Sequence, residues 1–389
     1  MDPKMSVSLF QQIMTSLPRR RIKALVSTHG SDKWCKRLTT MDHLTAMIHA
    51  QLSGQSSLRD LEASFNASPA RHYHLGSRGV KRSTLSDANA ARPTAVFEAV
   101  LPLLRDEMSG KNRTGIGDLA RILDSTTISL FARTHRALRY RANNSAIKLH
   151  LMFDPDAECP AWFQITPARF HDSKLCSDLP PRAGETYVFD RAYNDAAFWD
   201  AAFWARMNAA DAIFVTRPKT NLAYDVAEQR LHPDSLIVTD ETVRLARGPG
   251  EKYPEPLRRV EVFDEENGRE IAALTNDFDR PAEDIAALYK RRWDIELFFK
   301  WIRQNLKIKR MMARNPKAIR LQIITALIAC VLLKILHQTQ RIAVPLKRVA
   351  ALTRNYLFNP DGITQLLKPP DKNKPRPPDD QLLFAFPGQ

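Results

Sequence analysis

Cysteine is scarce in this chain of 389 residues, and its cysteines stand far apart. The four are Cys35, Cys159, Cys176 and Cys330. None forms a CxxC pair, and no paired Cys and His spacing typical of zinc occurs, which argues against a zinc finger or a CxxC redox site. Isolated cysteines are typical of buried thiols in a reducing compartment, so we expect a cytoplasmic location.

Long hydrophobic runs are absent as well. The longest is IITALIACVLL at 323–333, and Lys334 follows it directly. A membrane-spanning helix needs about 20 apolar residues, so this run predicts a buried core helix and no membrane partner. The chain starts without a basic stretch followed by an apolar one, and we therefore expect no signal peptide.

Positive charge is what the chain has in excess. It contains 58 Lys and Arg against 43 Asp and Glu, with a formal net charge of +15 and a pI near 9.8. This balance favours an anionic partner, with nucleic acid ahead of a membrane surface. The hydrophobic content of 44% is ordinary for a globular protein, and the length allows two or three domains with a sizeable core.

Residues 1–105 are predicted to form a helical N-terminal domain. The segment 39–65 reads as a helix, a break at Gly54 and a second helix capped by Ser56 or Ser57. Such a pair resembles a DNA-binding helix-turn-helix and fits a plain helical hairpin with a solvated basic face equally well. The basic segment that follows carries His72 and Tyr73 among its arginines.

From about 115 to 340 the pattern changes to an α/β one. SAIKLHLMFD alternates, with Ile147, Leu149 and Leu151 on one face and Lys148 and His150 on the other. RILDSTTISL, ETYVFD and AIFVTRPK read as further strands, and 218–275 reads as a β-rich insertion. Residues 341–389 are predicted to be a C-terminal helix and a Pro-rich, extended tail.

The segment 289–310 has no Gly or Pro and is predicted to be one amphipathic helix. Glu296 lies in the middle of its cationic side, and two interpretations stay open. Arg292, Glu296 and Lys300 are spaced for a salt-bridge ladder on a solvated face. Alternatively, the carboxylate is held beside a polyanion that the basic side binds.

Two further acids stand out by context. Asp124 lies within the predicted strand RILDSTTISL, and Asp190 ends the strand YVFD. Two-metal phosphodiester chemistry needs carboxylates that converge from different elements, and magnesium prefers oxygen ligands. Two strand aspartates and one glutamate on a later helix are the layout of such a site. Taken singly, an aspartate at a strand end is more often a turn former or a helix cap.

The surrounding residues resemble the bacterial insertion-sequence transposases of the DDE class, in the branch typed by insertion sequence four. Its Tyr-x2-Arg-x3-Glu-x6-Lys signature falls on Tyr289, Arg292, Glu296 and Arg303, with DRAY and an aspartate in ILDSTT before it. The resemblance covers most of 8–338. Arg303 replaces the usual Lys, which keeps the charge and the phosphate affinity but binds as a planar fork and not as a point charge. Ala192 replaces the usual Gly of DRAY, a change that matters where the backbone needs a positive φ.

This resemblance implies a ribonuclease H-like core with a β-rich insertion, preceded by an all-α N-terminal domain. Asp124, Asp190 and Glu296 would be the catalytic residues and would bind two Mg²⁺ or Mn²⁺ ions. The partner would be double-stranded DNA, with a homodimer on paired transposon ends. The candidate DNA contacts are Tyr289, Arg292, Lys300, Arg303, Lys307, Arg217, Lys219, Lys148 and His150.

Trp293 and Trp301 flank the cationic side of the 289–310 segment, and either a flipped base or the protein core would accommodate them. The implied function is transposition. The alternatives are an inactive or repurposed DNA-binding relative and a nuclease of the same fold that cleaves without joining. A glycosidase with paired carboxylates is disfavoured, because the basic surroundings of Glu296 suit phosphate and not a neutral sugar.

Overall fold

The structure is a computed structural model. It describes residues 7–112, 119–130, 139–141, 144–179, 181–190, 200–219, 222–232, 236–246, 253–306, 308, 311–313, 315–359 and 362–367.

Helices fill the first part of the chain. They are α1 Leu9–Met14, α2 Arg19–Thr28, α3 Thr40–Ser53, α4 Leu58–Asn66, α5 Pro69–Leu75, α6 Arg82–Ala91, α7 Ala95–Glu98 and α8 Val100–Asn112.

The predicted helix pair around Gly54 is present as α3 and α4. Gly54 ends α3 with a left-handed φ of 74°, a conformation that glycine adopts without strain. Ser57 caps α4, its side chain accepting a hydrogen bond from the backbone N–H of Asp60. Helix α3 is buried along nearly its whole length, whereas α4 turns both Arg59 and the acidic Asp60 outward. This geometry favours the plain hairpin, because the outer face of α4 is not basic.

One large mixed sheet follows the helices. Its strands are β1 Leu119–Leu130, β2 Arg139–Arg141, β3 Asn144–Asp154, β4 Cys159–Pro167, β5 Glu185–Phe189, β6 Ile213–Thr216, β7 Tyr224–Gln229, β8 Ile237–Leu245, β9 Leu257–Asp264 and β10 Arg269–Thr275. A 3₁₀ helix at Asp172–Ser177 lies between β4 and β5, and helix α9 at Asp200–Ala209 lies between β5 and β6.

The strand order is β2-β3-β1-β5-β6-β10-β9-β8-β7, with β4 also pairing to β3. The β3/β4 and β1/β3 pairs are antiparallel, while β1/β5 and β5/β6 are parallel. The strands within the predicted 218–275 insertion continue this sheet, because β10 pairs with β6. Ile147, Leu149 and Leu151 are buried, as their alternation predicted.

The strand register determines which residues meet at one edge of the sheet. Leu123 of β1 pairs with Phe189 of β5, and Phe189 pairs with Thr216 of β6. The residues that follow these three, Asp124, Asp190 and Arg217, therefore lie side by side. Asp190 and Arg217 directly follow the ends of β5 and β6, whereas Asp124 lies in the middle of β1, at the point where its pairing with β5 ends.

The last helices are α10 Ala282–Lys290, α11 Trp293–Asn305, α12 Pro316–Thr339, α13 Leu346–Tyr356 and α14 Ile363–Leu366. The prediction of one helix over 289–310 is wrong. A turn at Arg291 and Arg292 separates α10 from α11, both residues keep right-handed helical angles, and the chain becomes extended at Leu306. Arg292 is thus the N-cap of α11. Its side chain projects from the start of that helix and not from the middle of one continuous helix.

Helix α12 is the centre of the hydrophobic core and contains the apolar run 323–333. It packs against α1, α3, α6, α7, α8, α13 and β4. By length and composition it resembles a membrane span, yet 94% of its most apolar window is buried within the protein, which fits the predicted core helix. One apolar cluster joins residues from Leu9 to Ile363, so the N-terminal helices and the sheet share a core. Cys159 and Cys330 are buried thiols.

Candidate active site

The three predicted carboxylates come to one edge of the sheet. Asp124 lies within β1, Asp190 directly follows β5, and Glu296 lies on the first turn of α11, which packs on β1. Parallel pairing of β1 with β5 fixes the two aspartates as neighbours. The acidic position in the first turn of α11 also suits the positive end of the helix dipole.

Arg292 links the carboxylates of the sheet and of the helix. Its Nη1 atom is 2.9 Å from Oε1 of Glu296 and 3.9 Å from Oδ2 of Asp124. The Arg292 side chain is only 8% exposed, and burial of this kind strengthens its interactions with both carboxylates. The predicted ion pair between Arg292 and Glu296 is therefore present, but Arg292 is buried and the pair lies inside the site. The second predicted pair is not formed, because Lys300 makes no ion pair within the described residues.

Burial raises the pKa of Asp124 to about 6. The nearby carboxylates of Glu296 and Asp190 act in the same direction, while the Ser125 N–H and Arg292 oppose it. The Ser125 N–H donates to Oδ1 of Asp124 at 2.7 Å. A buried carboxylate among like charges is a common feature of functional sites, since packing alone gives no reason to hold the charge there.

Tyr289 closes the site on the Asp190 side. Its hydroxyl group donates to Oδ1 of Asp190 at 3.4 Å, and its ring lies 6.0 Å from the Arg292 guanidinium. Burial raises the pKa of Tyr289 to about 12, with Asp190 adding to the effect and the cations of Arg292 and Arg217 opposing it. The phenol is therefore a neutral hydrogen-bond donor at neutral pH.

The remaining predicted DNA contacts fall into three groups. Arg217, Lys300 and Arg303 are exposed, and Lys219 is half-buried. The Arg303 Nε–H donates to the Phe299 carbonyl oxygen at 3.1 Å. The two Nη atoms of Arg303 do not take part in that hydrogen bond. Lys307 lies outside the described residues, as does Ala192, so neither position is placed.

Lys148 and His150 share one strand face as predicted, and this face is not open to solvent. The segment carrying Asp172 covers it. Lys148 Nζ donates to Oδ1 of Asp172 at 3.0 Å, and His150 is fully buried with its Nε2 2.9 Å from the Thr166 hydroxyl oxygen. Burial lowers the pKa of His150 to about 4. His150 is too deeply buried to contact DNA in this structure.

Asp172 is the residue that sequence reasoning missed. It also accepts a hydrogen bond from the Ser125 hydroxyl at 3.1 Å. This bond ties the Asp172 segment to β1 at the residue next to Asp124. The available signal was the pair of polar side chains on β3, because a polar strand face that becomes covered requires a polar partner.

The two tryptophans have different environments. Trp293 is 41% exposed, with the Arg269 and Arg292 guanidinium groups 5.1 and 5.0 Å from its ring. Trp301 is half-buried and packs against the main apolar core. The core interpretation therefore holds for Trp301, while Trp293 presents a ring beside the site.

The donor set suits a hard divalent cation. Within the described part of the chain, no three Asp, Glu, His or Cys side chains are close enough to form a preassembled metal site. Three carboxylates nevertheless surround one guanidinium group, which leaves an excess of negative charge, and carboxylate oxygens are the ligands that Mg²⁺ and Mn²⁺ prefer. Glu296 is 42% exposed and is paired with Arg292 at 2.9 Å. The chemistry of these carboxylates fits such an ion.

Comparison with known proteins gives the class. Residues 116–332 match the family model described as the transposase DDE domain, and residues 6–78 match a domain of unknown function, DUF4372. The first match covers more than half of the chain. The protein therefore belongs to the DDE-domain transposases, and its fold is a mixed α/β sheet preceded by a helical region.

The curated relatives are named as transposases. A Sinorhizobium fredii protein named as a transposase is 38% identical over 316 residues, which are 78% of this chain and 85% of that one. A transposase of an insertion sequence element in Geobacillus stearothermophilus is 30% identical over 67% of this chain and 68% of its own. A third, for an insertion sequence element of Synechocystis, is 27% identical over 68% of this chain and 75% of its own.

Proposed function

We propose that this protein binds the terminal inverted repeats of an insertion sequence and catalyses metal-dependent DNA cleavage and strand transfer. The observation that carries the proposal is the position of Arg292, which reaches Asp124 on the sheet and Glu296 on a later helix. Asp190 lies on the neighbouring strand, within hydrogen-bonding reach of Tyr289. Membership of the transposase family supports the same reaction class.

The catalytic core is proposed to be ribonuclease H-like, as in the branch typed by insertion sequence four. Three antiparallel strands, β4, β3 and β1, are followed by β5 and β6 in parallel, with the first two acids on the adjacent strands β1 and β5. This strand order supports the proposal. The β-rich insertion then extends the sheet beyond β6, between the second and third acids.

Asp124, Asp190 and Glu296 are the residues that would hold two Mg²⁺ or Mn²⁺ ions. Such ions supply Lewis-acid stabilisation of the attacking and leaving oxygens in phosphodiester chemistry. In the protein alone, Arg292 partly neutralises Asp124 and Glu296. Its guanidinium group is suited to bind a DNA phosphate once Glu296 turns away, because arginine forms two parallel hydrogen bonds with phosphate oxygens.

The remaining chain residues act on the DNA and its surroundings. Tyr289 holds Asp190 in place through its hydroxyl group, and the exposed Arg217, Lys300 and Arg303 contact the backbone of the transposon end. Trp293 offers an exposed ring for an unpaired base. The helical N-terminal part binds DNA, the protein acts as a homodimer on paired ends, and it works in the cytoplasm.

A cleavage assay tests the proposal. Purified protein is incubated with DNA carrying the element's own ends, in Mg²⁺ and in EDTA. Glu296→Gln should abolish nicking at the element boundary and leave end binding intact. Asp294→Asn is a matched control, because Asp294 lies on the same helix with the same exposed fraction of 42% and pairs with Arg291 instead. Cleavage by Glu296→Gln would remove Glu296 from the site.

The same assay separates the rival functions. Tight DNA binding without cleavage by the unaltered protein would identify a DNA-binding relative that has lost catalysis. Cleavage without covalently joined product in a strand-transfer reaction would identify a nuclease.

A further inference from the structure

We propose that the N-terminal segment matched to a domain of unknown function carries a double-stranded DNA-binding groove, formed by the α2–α3 connection and the residues around α5. The inference deepens the proposed transposase function and rests on it. The groove has a volume of about 880 Å³ and is separate from the carboxylate site. The residues that line it include Lys36, Arg37, Tyr73 and Arg78.

Charge is the first reason. Between residues 19 and 37 the chain has one acid and seven basic residues, namely Arg19, Arg20, Arg21, Lys23, Lys33, Lys36 and Arg37. Between 69 and 82 it has no acid and four basic residues, namely Arg71, Arg78, Lys81 and Arg82. Of these basic residues, Lys36 and Arg37 of the first stretch and Arg78 of the second line the groove. Arg21 pairs with Asp106 instead. A concentrated patch of this kind is what a phosphate backbone recognises.

The acids beside this patch are directed inward. Asp42 is buried and accepts hydrogen bonds from the Thr39 N–H, the Thr39 hydroxyl and the Arg78 N–H at 3.1, 2.7 and 3.2 Å. Asp32 accepts from the Thr40 N–H at 2.6 Å. These carboxylates cap helix α3 and fix the loops of the groove, so they do not pair with the cations at its surface.

The basic residues that line the groove have no carboxylate partner among the described residues. Lys36, Arg37 and Arg78 are exposed, and none of them makes an ion pair with any residue that the structure describes. Exposed cations held at fixed positions without carboxylate partners are available for phosphate oxygens. Packing gives no reason to gather them at one groove, because their mutual repulsion is unfavourable.

Two exposed aromatic rings accompany the cations. Trp34 is 89% exposed and Tyr73 is 86% exposed. Trp34 also has a φ of 65°, a left-handed conformation that is strained for a bulky residue. Neither the exposure nor the backbone angle of Trp34 stabilises the free protein. Both are explained when the ring contacts the sugars or groove edge of a bound duplex, in the way aromatic and basic residues combine in nucleic-acid sites.

The test measures DNA affinity in EDTA, so that cleavage does not contribute. Fluorescence anisotropy would follow a labelled duplex carrying the element's end, over a range of salt concentrations. The variant combines Lys36→Gln, Arg37→Gln and Arg78→Gln. The control combines Lys317→Gln, Lys347→Gln and Arg348→Gln, which removes the same number of exposed charges from α12 and α13.

The groove variant is expected to bind at least tenfold more weakly, with the slope of log affinity against log salt reduced by roughly 2 to 3, since each phosphate contact contributes about 0.9. The control should change both quantities little. Equal weakening in the two variants would overturn the groove, because only the overall charge would then matter. An unaltered protein that binds no duplex would refute the proposed function itself.

Trp34→Gly gives a second readout that a structural role would not produce. Glycine relieves the left-handed backbone, so the melting temperature should stay the same or rise while DNA affinity falls severalfold. Unchanged affinity would remove Trp34 from the DNA contact. The catalytic variant Glu296→Gln, measured in parallel, should bind DNA like the unaltered protein, which separates failure of the groove from failure of the active site.

Discussion

The buried charge of Asp124 should destabilise the metal-free protein, and Asp124→Asn should therefore make the protein more stable. Burial raises the pKa of Asp124 from 3.8 to about 6. Above pH 6 the carboxyl group is ionised in both the folded and the unfolded chain, and the folded state then bears the full cost of the buried charge. At about 1.4 kcal/mol per pKa unit, that cost is about 3 kcal/mol.

The substitution keeps the local hydrogen bonding. The amide oxygen of asparagine still accepts from the Ser125 N–H, and Arg292 retains its 2.9 Å pair with Glu296. For a chain of this size we expect an increase in melting temperature on the order of 3 °C at pH 8 in EDTA. The gain should shrink as the pH falls from 6 towards 4, because the carboxyl group then becomes neutral in the folded protein.

Calorimetry or chemical unfolding of the two proteins measures this difference. Asp225→Asn, at an exposed position on β7, is the control and should change stability little. Mg²⁺ should stabilise the unaltered protein by about 3 kcal/mol at a concentration one hundred times its dissociation constant, and should have little effect on Asp124→Asn. A lower stability of Asp124→Asn in EDTA would refute the account of a buried, repelled carboxylate.

Three further variants test the fold. Arg121 holds the half-buried carboxylate of Asp154 and the buried one of Glu185 at 2.7 and 3.1 Å. Arg121→Met should therefore lower the unfolding free energy by about 3–5 kcal/mol, and a loss under 1 kcal/mol in urea unfolding would contradict this. Burial lowers the pKa of His43 to about 3, so stability should fall as the pH drops from 6.5 towards 3, and His43→Gln should flatten that dependence in melting curves. Gly54→Ala should cost about 1 kcal/mol, because the φ of 74° disfavours a Cβ, and an unchanged melting temperature would disprove that strain.

The sequence pattern was sufficient where local periodicity determines the structure. Alternation placed Ile147, Leu149 and Leu151 on a buried strand face, and the glycine and serine signals located the break between α3 and α4. The three carboxylates were found through motif spacing. The convergence of Asp124 and Asp190 follows from strand register, and that of Glu296 follows from the packing of α11 on β1; the motif encodes neither.

Other features depend on contacts between distant segments. Alternation separated Lys148 and His150 from the apolar face of β3, but it does not reveal that the segment carrying Asp172 covers them. The turn at Arg291 and Arg292 contains neither Gly nor Pro, and its angles remain helical, so no composition signal marks it. The groove near Lys36 and Arg78 joins loops 42 residues apart, which only the tertiary structure brings together.

The central position of α12 has a consequence for synthesis on the ribosome. Helices α1, α3, α6, α7 and α8 all bury apolar surface against it, although it begins some 200 residues after α8 ends. A nascent chain that stops before residue 316 leaves those surfaces exposed to water, which disfavours a stable N-terminal fragment. A stable N-terminal part therefore awaits the synthesis of residues 316–339, so translation products that stop before this helix would be targets for proteolysis.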